Sequence, residues 1–290
     1  MTQKELRPSP AFMANLKQKG FVIIEIEPNA KGFADYTRRD FYKIALVKGK
    51  ARVTQANENI ILDGTYLRFS TPYLPYSSEV LSDKWEGYAC YFLEEFLYPG
   101  HRMKTMQKSP LFRIGAAPAV KLHPGQNQAI ADIFKKMLAE QQQGYAFKDD
   151  VIRSYINLLI HESLKIDASL AFKPYQKAPI KITAGFLDLL EEQYPVVSPL
   201  HSIKMLTAKH FADGLSVHVN YLNRMVKNTT GKTTSEHIAD RIVKEAAALL
   251  TETDWNISEI AHALGFGNSN YFSTFFKKQL GITPRAFRSK

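Results

Sequence analysis

The sequence predicts an α+β protein in which a β-rich N-terminal domain precedes an all-α C-terminal domain. From about residue 20 to residue 97, short runs rich in β-branched and aromatic residues alternate with turn signals, which is typical of a sandwich or a small barrel. Near the C-terminus, a pattern of helix, tight turn and helix occurs twice. The length of 290 residues, of which 45% are hydrophobic, is enough for a core in each of two domains.

The β-rich part contains the candidate strand segments FVIIEI, FYKIALV, ARVTQ, NIILD, TYLRFS and GYACYFL. Turn signals separate several of them, at Lys48-Gly49-Lys50, Asn57-Glu58-Asn59 and Asp63-Gly64. We therefore expect the chain to reverse at these three places and each segment to be a short strand.

The repeated segment reads NYLNRMVKNTTGKTT from Asn220 and NYFSTFFKKQLGITP from Asn270, so that matching residues lie at a constant offset. Each copy follows a short helical pattern that ends at a turn, and the repeated helix itself is expected to begin near His218 in the first copy and near Asn268 in the second. The expected helix caps are Thr207, Ser258 and Asn268, and the expected turn residues are Gly214, Gly265 and Gly267.

Within each repeated helix, apolar residues recur at three- and four-residue steps and define a buried face, which leaves a polar face opposite. Helix-turn-helix units place such a helix in the major groove of DNA, where amide side chains pair with adenine and arginine pairs with guanine. The predicted DNA-binding residues are His218, Asn220, Asn223, Arg224, Lys227, Asn268, Ser269, Asn270, Ser273, Thr274, Lys277, Lys278 and Arg285.

One copy of this pattern by itself is equally compatible with a helical pair whose polar face meets solvent. The duplication favours DNA, because two tandem units suit two successive major-groove segments about one helical turn apart. Local charge agrees, since the ranges 215–235 and 260–290 carry basic residues and no acidic ones. The net charge of +10 is a weaker indicator, because residues 181–290 hold 13 basic and 10 acidic residues and contribute only +3 of it.

The region from about residue 183 to residue 290 resembles the DNA-binding domain of the AraC/XylS family of transcription regulators. The most specific part is ISEIAHALGFGNSNYFSTFFKKQLGITPRAFR, and the segment SEHIADRIVKEAAALLTETDWNI is similar to the linker helix that joins the two units in that family. The resemblance implies a sequence-specific regulator with two helix-turn-helix units, expected to be an activator. Glu245 and Thr274 stand where arginine is usual, so the second unit is expected to read fewer bases and to rely more on phosphate contacts.

The N-terminal region resembles the cupin-type effector-binding β-barrel that commonly precedes this module, most clearly in YTRRDFYKIALVKGKARV and WEGYACYFLEEFL. The resemblance implies that residues 1–125 form a regulatory domain for a small-molecule effector. Arginine suits an anion or a hydroxyl-rich ligand and aromatic rings suit stacking, so the candidate effector-binding residues are Arg38, Arg39, Tyr42, Tyr76 and Trp85. Each is also compatible with a surface charge or a core aromatic, and Arg39 with an ion pair to Asp40 or Glu95.

A catalytic cupin would hold a metal through paired histidines and a glutamate. No histidine precedes His101, and Thr37, Arg38 and Arg39 stand where the pair is expected, so we predict no metal site, no cofactor and no enzymatic activity. The single cysteine, Cys90, lies in an apolar run and is interpreted as a packing residue. Two alternatives stay open: a cupin enzyme fused to a DNA-binding module, and a constitutive DNA-binding protein whose barrel only dimerises.

Two amphipathic helical patterns follow, with apolar stripes in the ranges 130–138 and 151–159. By resemblance, residues 126–172 are expected to pair two subunits into a homodimer, with packing on their own barrel as the alternative. A linker is predicted at 173–182, where Pro174 and Pro179 interrupt any helix, followed by the DNA-binding domain at 183–290. The other expected partners are double-stranded DNA, the effector and RNA polymerase. The sequence lacks an apolar run of membrane-spanning length and a secretory signal, so a cytoplasmic protein is expected.

Overall fold

The computed structural model describes residues 9–28, 40–55, 58–99, 106, 109–116, 119–166 and 178–289. These residues form two compact units, an N-terminal unit whose described part ends at Ile166 and a C-terminal unit whose described part begins at Ala178. The N-terminal unit combines an antiparallel sheet with helices, and the described part of the C-terminal unit is helical. The predicted order of a β-rich region followed by a helical region is therefore confirmed.

The described elements of the N-terminal unit are, in chain order, α1 (Pro10–Lys19), β1 (Phe21–Ile26), β2 (Tyr42–Gln55), β3 (Glu58–Ser70), β4 (Tyr76–Val80), β5 (Glu86–Phe92), α2 (Glu94–Leu97), β6 (Ala119–Lys121), α3 (Pro124–Gln141) and α4 (Lys148–Ile166). The strands form one antiparallel sheet in the order β1-β5-β2-β3-β6, and β4 pairs with the end of β2. Within the described residues this pairing begins at β1 and ends at β6, so the closure of the predicted barrel stays a prediction.

The long strands β2 and β3 run straight through two predicted turns. Gly49 and Gly64 are partners in the β2–β3 ladder, and the strands stay paired on both sides of them. Both glycines have positive φ angles, 141° and 116°, which a residue without a Cβ adopts without strain. The turns predicted around Gly49 and Gly64 are therefore wrong, because the β2–β3 ladder continues on both sides of these glycines. The turn predicted around Glu58 lies partly outside the described residues.

One face of the sheet packs against α3 and α4. Ile44 and Phe92 of the sheet lie in one buried cluster with Phe134 of α3 and Ile156 of α4. The buried residues of both apolar stripes thus pack against the sheet of the same chain, as the packing alternative predicted, while Leu158 of the second stripe is 41% exposed. The homodimer stays a prediction.

Two residues singled out in the sequence belong to this cluster. Cys90 is buried, and burial raises the pKa of its thiol, which confirms the interpretation of Cys90 as a packing residue. The ring of Tyr42 stacks on Phe92 and meets Phe112 edge-on. Tyr42 therefore packs between the sheet and its helices.

The opposite face of the sheet carries a separate buried cluster. Successive side chains of a strand point to opposite faces, and this face receives Val22, Ala45 and Tyr91. Leu16 of α1 and Trp85 pack against the same residues. Both faces of the sheet are therefore covered, and its two sets of side chains have different surroundings.

The described elements of the C-terminal unit are α5 (Ala178–Glu192), α6 (Ala208–Gly214), α7 (Val219–Thr230), α8 (Thr234–Glu252), α9 (Ile257–Ala263), α10 (Ser269–Leu280) and α11 (Pro284–Arg288). Helix α5 begins inside the segment that was predicted as a linker, of which residues 173–177 lie outside the described residues. Pro179 lies in the first turn of α5, where a backbone N–H would have no intrahelical acceptor. The expectation that Pro179 interrupts any helix is therefore wrong.

A buried ion network joins α5 to α8. Arg241 of α8 donates to Glu191 of α5 and to Glu245 one turn along α8, both at 3.0 Å, and its guanidinium lies 3.7 Å from the ring centroid of Tyr194. Glu245 is 2% exposed and also accepts the Val196 N–H at 2.8 Å. Burial acts to lower the pKa of Arg241, but the two carboxylates hold it above its ordinary value. The acid at position 245, where the resemblance suggested arginine, thus serves as a buried acceptor.

Candidate nucleic-acid interface

The two copies of the repeat form a first helix pair (α6 and α7) and a second helix pair (α9 and α10). The repeated helix α7 begins after His218, whose Nδ1 accepts the Asn220 N–H at 3.2 Å. The repeated helix α10 begins after Asn268, whose Oδ1 accepts the N–H groups of Asn270 and Tyr271 at 3.0 Å. These caps confirm the predicted starts of both repeated helices.

The shorter helix of each pair is also capped. Thr207 Oγ1 accepts the His210 N–H at 3.4 Å, as predicted. In the second pair the cap is Asn256, which forms a capping box with Glu259 through bonds of 2.7 and 2.9 Å. The prediction of Ser258 as the cap is wrong. The cap is Asn256, two residues before Ser258, because its side chain accepts the Glu259 N–H while the Glu259 side chain accepts the Asn256 N–H.

The turns inside the two pairs share a hydrogen-bond pattern but differ in the residue that reverses the chain. In each turn a backbone N–H donates to the carbonyl five residues earlier, at 3.0 and 2.9 Å. The left-handed residue is Ser216 in the first pair, with φ 54°, and Gly265 in the second, with φ 80°. Gly214, which was predicted to make the first turn, is instead the last residue of α6. A Cβ at Gly265 would lie 2.6 Å from Leu206 Cδ1, so this position needs glycine for two reasons.

The two repeated helices end in the same way. Gly231 and Gly281 have left-handed φ angles of 77° and 78°, and the N–H of each donates to the carbonyl four residues earlier at 2.8 Å. Thr233 and Thr283 then cap the next helices, α8 and α11. The glycines and threonines that coincide in the sequence therefore mark one type of helix end that is built twice.

Each repeated helix buries its apolar face and leaves its polar face accessible. Leu222 and Val226 of α7 and Phe272 and Phe276 of α10 are fully buried. All the residues predicted to bind DNA are described, and all are accessible. Asn223, Ser269 and Ser273 are partly exposed, and the exposed ones are His218, Asn220, Arg224, Lys227, Asn268, Asn270, Thr274, Lys277, Lys278 and Arg285.

The basic residues near the two helix pairs divide into two groups. Lys232 forms an ion pair with Asp240, and Arg288 donates to the carbonyls of Leu250 and Trp255 at 3.2 and 2.7 Å. Lys232 and Arg288 therefore bind other residues of the C-terminal unit. The exposed basic residues that make no ion pair with another described residue include Arg224, Lys227, Lys277, Lys278 and Arg285.

One equivalent pair of residues was missed as a candidate from the sequence, Tyr221 and Tyr271. Tyr221 is partly buried, and the Arg224 guanidinium lies 5.7 Å from its ring centroid. Tyr271 is 69% exposed, and Thr274 takes the position that Arg224 has in the first copy. The sequence did contain a pattern that could have identified them, because the two tyrosines take equivalent positions in the repeat. A hydroxyl in the first turn of α10 is suited to donate to a phosphate oxygen.

The three described residues predicted to bind an effector do not all lie at one place. Arg38 and Arg39 lie outside the described residues. Tyr42 belongs to the helix-covered face of the sheet and Trp85 to the opposite face. Tyr76 is buried on β4, close enough to Arg68 of β3 to influence its pKa. Arg68 itself was missed, because nothing local in the sequence distinguishes a buried arginine in a strand from an exposed one.

Two other features are absent from the described part of the chain. No helix there is both long enough and apolar enough to cross a membrane. Three or more His, Cys, Asp or Glu side chains do not come together there in a way that could hold a metal ion.

Comparison with known proteins places the C-terminal region. A family model described as a helix-turn-helix domain matches residues 211–290. The uncharacterized HTH-type transcriptional regulator YobQ of Bacillus subtilis is 32% identical over 103 residues, which are 35% of this chain and 43% of that protein. The HTH-type transcriptional activator RhaS of Yersinia pestis is 35% identical over 79 residues, 27% of this chain and 29% of that protein. The chain thus spans less than half the length of these relatives.

Two solved structures extend the comparison. The C-terminal domain of AraT, a response regulator from Geobacillus stearothermophilus, is 30% identical and covers 37% of this chain and 84% of its own, with a TM-score of 0.32. An apo ToxT variant from Vibrio cholerae is 15% identical and covers 93% of this chain and 97% of its own, with a TM-score of 0.38. From the family model and the curated relatives, the C-terminal region is an AraC-type helix-turn-helix domain, as its resemblance to AraC/XylS regulators predicted.

Proposed function

We propose that this protein is a transcription regulator that binds double-stranded DNA in a sequence-specific manner. The observation that carries the proposal is the pair of repeated helices, which present polar and basic residues at equivalent positions on accessible faces. In this proposal α7 and α10 enter two successive segments of the major groove, roughly one helical turn apart. The names of the relatives, a transcriptional regulator and a transcriptional activator, support this class of function.

Base recognition is assigned to the amides, hydroxyl and guanidinium on the outer faces of the repeated helices. Amide side chains pair with adenine edges and a guanidinium pairs with guanine, so direct readout concentrates on α7, which alone of the two carries an arginine. The proposed base-reading residues are Asn220, Asn223, Arg224, Asn270 and Ser273.

Most of the affinity is assigned to the phosphate backbone. Lys227, Lys277, Lys278 and Arg285 are exposed, and the N-termini of α7 and α10 add N–H donors to the same surface. Each cation that meets a phosphate releases counterions, so binding weakens with salt at a slope of about 0.9 per phosphate contact in log–log form. The proposed complex is therefore strongly salt-dependent.

The proposal extends to regulation. The protein acts as a homodimeric activator in the cytoplasm, contacts RNA polymerase, and responds to a small molecule held by the N-terminal unit. The activator role is supported by the name of the RhaS relative, which matches part of the C-terminal unit. Ligand occupancy would change how the two DNA-binding domains of a dimer are presented, and so which half-sites are spanned together. A protein that binds DNA with and without ligand alike would instead be a constitutive regulator.

Selection of bound fragments from a random DNA library tests the proposal. The full chain is expected to enrich one motif with two recognition segments about one helical turn apart. Lys278→Ala is expected to weaken binding to all sequences alike and to reduce the salt slope by about 0.9, without changing the motif. Lys17→Ala, the same substitution on α1 of the N-terminal unit, serves as the matched control and leaves affinity and slope unchanged. A library from which no motif is enriched would refute sequence-specific binding.

A further inference from the structure

The first repeated helix carries an arginine whose guanidinium has a ring as its partner and no acid. Arg224 is exposed, and its guanidinium lies over the ring of Tyr221, 5.7 Å from the ring centroid. Among the described residues the Arg224 side chain forms no ion pair and no hydrogen bond. The range 215–235 also holds no acidic residue that could take up the guanidinium. In the described part of the chain, Tyr221 is therefore the one aromatic or charged partner of Arg224.

A second arginine of the same unit shows the effect of a different set of partners. The Arg241 guanidinium lies 3.7 Å from the ring centroid of Tyr194, but Arg241 also donates to Glu191 and Glu245 at 3.0 Å. Carboxylates take up guanidinium N–H groups, whereas a ring attracts the cation through its π face and takes up none. Tyr194 thus belongs to a buried structural network, while Tyr221 contacts a guanidinium whose N–H groups stay free to bind DNA.

Recognition of guanine requires two guanidinium N–H groups at once. Arginine pairs with O6 and N7 of guanine in a bidentate contact, which demands one orientation of the guanidinium plane. An exposed arginine without a partner samples many rotamers, and ordering it on binding opposes association. Tyr221 lies three positions before Arg224 on the same side of the helix, so the contact between them restricts these rotamers before DNA binds. The ring therefore orients Arg224 without competing for its donors.

We propose that Tyr221 is a positioning residue for base recognition, which restricts Arg224 so that its guanidinium pairs with one guanine in the major groove. Tyr221 acts through its ring and not through its hydroxyl, because the guanidinium lies over the ring. Tyr271 has no such role in the second copy, where Thr274 follows three positions later and Tyr271 is 69% exposed. The DNA site is thus asymmetric, with its most strongly discriminated guanine in the segment that α7 contacts. This role rests on the proposed function, because it requires Arg224 to contact a base.

The test measures base discrimination by the purified full chain. One duplex carries the motif from the library selection, and in a second duplex adenine replaces the guanine whose preference is lost in Arg224→Ala. The ratio of the two dissociation constants is the discrimination. Tyr221→Leu is expected to lower this ratio about two- to five-fold, which corresponds to an exposed cation–π contact. Tyr221→Phe keeps the ring and is expected to keep the ratio of the unaltered chain.

Two controls separate positioning from a general loss of binding. Tyr271→Leu, the same substitution at the equivalent position of α10, removes a hydroxyl and is expected to weaken binding to both duplexes alike without changing the ratio. Tyr221→Leu combined with Arg224→Ala is expected to discriminate as Arg224→Ala does by itself, because the ring then has no guanidinium to orient. Poorer packing of α7 would likewise weaken binding to both duplexes and leave the ratio unchanged.

The second copy supplies an independent measurement if Tyr221→Leu does not fold. Thr274→Arg places an arginine three positions after Tyr271 and is expected to add a guanine preference in the segment that α10 contacts. In that background, Tyr271→Phe and Tyr271→Leu both remove a hydroxyl from an exposed position. Only Tyr271→Leu is expected to lower the added preference, about two- to five-fold. An equal preference in both variants, or no added preference, overturns the inference.

Equal ratios for Tyr221→Leu and Tyr221→Phe also overturn the inference, whether both are lowered or neither is, because the ring would then not matter. It falls as well if Arg224→Ala leaves every base preference unchanged. A library from which no motif is enriched refutes the proposed function. An enriched motif together with equal ratios for the two Tyr221 variants refutes only the positioning role of Tyr221.

Discussion

The first and second helix pairs share their local structure and differ in what supports them. The first pair packs against α5 and α8, with Phe186 of α5 edge-on to Phe211 of α6 at 5.1 Å between ring centroids. The second pair packs against α8 and α11, with Phe276 of α10 edge-on to Phe287 of α11 at 5.5 Å. Only α5, on the side of the first pair, shares the described ion network with α8. A repeated sequence can thus encode one local unit twice while distant residues decide how rigidly each copy is held.

The accessible faces of the two repeated helices differ as well. In α7, Arg224 lies over the ring of Tyr221 and presents a guanidinium to solvent. In α10, Thr274 takes the equivalent position and Tyr271 is left exposed, while two adjacent lysines follow at 277 and 278. The first face therefore has the chemistry of base readout, and the second has more of the chemistry of backbone contact.

The largest expected effect comes from breaking the support of the first pair. Arg241→Met removes the guanidinium that pairs with Glu191 and with the 2%-exposed Glu245, and is expected to lower the free energy of unfolding by about 3 to 5 kcal/mol. Urea unfolding of the full chain measures this loss. Arg285→Met, which removes an exposed guanidinium beside the second pair, should stay within about 0.5 kcal/mol.

Hydrogen exchange shows which of the two helix pairs is destabilised when Arg241 is removed. Because Arg241 joins α5 to α8, its removal is expected to speed hydrogen exchange in α7 more than in α10. Equal acceleration in both repeated helices, or a cost no larger than that of Arg285→Met, would show that the network does not support the first pair in particular.

The next effect concerns DNA. Arg224→Ala is expected to cost about 1 to 3 kcal/mol of binding free energy and to relax preference at one base position, whereas Thr274→Ala should change little. Library selection with both variants measures the motif and the affinity together. The reciprocal change, Thr274→Arg, is expected to tighten binding and to increase the salt slope by about 0.9. An unchanged motif for Arg224→Ala would contradict its assignment to a base.

The turns give a smaller and purely structural effect. Gly265→Ala gives a left-handed residue a Cβ, which would also lie against Leu206. We expect this change to lower the free energy of unfolding by at least about 1 to 2 kcal/mol. Ser216→Gly removes the same backbone penalty from the first pair and is expected to stabilise by up to about 1 kcal/mol. Thermal unfolding measures both changes.

Gly231 supplies the control for the turns. Its φ angle is 77°, and a Cβ there would have no neighbour within 4 Å, so Gly231→Ala reports the backbone penalty alone. The excess cost of Gly265→Ala over Gly231→Ala measures the contact with Leu206. No excess would mean that the leucine moves aside freely.

The smallest effect concerns the helix caps that follow the two pairs. Thr233 and Thr283 each accept an N–H from the third helical residue at 3.2 Å, but only Thr233 also bonds an acid, Glu236, at 2.6 and 2.7 Å. Each Thr→Ala variant is expected to lower the free energy of unfolding by about 1 kcal/mol. The decrease is larger at Thr233, because its capping box is lost as well. Equal costs would mean that the acid contributes nothing at neutral pH.

The pH dependence separates the two caps further. The hydrogen bonds from the Thr233 side chain and backbone lower the pKa of Glu236 in the folded protein. A group with a lowered pKa stabilises the fold above its unfolded pKa, about 4.3 for glutamate, and this contribution is lost as the pH falls through the lowered value. The Tm advantage of the unaltered chain over Glu236→Gln is therefore expected above about pH 5 and should shrink toward pH 3. A constant advantage over that range would contradict it.

Much of the candidate interface could be predicted because it depends on residues close together in the chain. The starts at His218 and Asn268 and the ends at Gly231 and Gly281 follow from caps within four positions. Ser258 was misread because a better cap lay two residues away, and Gly214 because a serine took the left-handed position after it. These errors are of one or two residues and leave the elements in place.

The N-terminal unit was harder to predict because its structure depends on pairing between distant segments. The strand segments were recognised, yet Gly49 and Gly64 read as turn signals until their pairing with each other is known. The apolar stripes of α3 and α4 predicted burial correctly but not the surface that buries them. The sequence predicts that Tyr42 and Trp85 share a site, but they lie on opposite faces of the sheet, because successive side chains of a strand point to opposite faces.

The sequence by itself determined the repeated helices, their caps and the polar residues on their outer faces, because hydrogen bonds between near neighbours and a regular helical period are local properties. Only the tertiary structure determined the surroundings of three charged residues. Glu245 became a buried acceptor through Val196, which lies 49 residues away in the chain. Arg288 donates to carbonyls at and just after the end of α8, and Arg68 is buried on a sheet face where none of the described residues forms an ion pair with it. Whether a charge meets water, a partner or neither depends on which distant segments fold over it, and no local pattern records that.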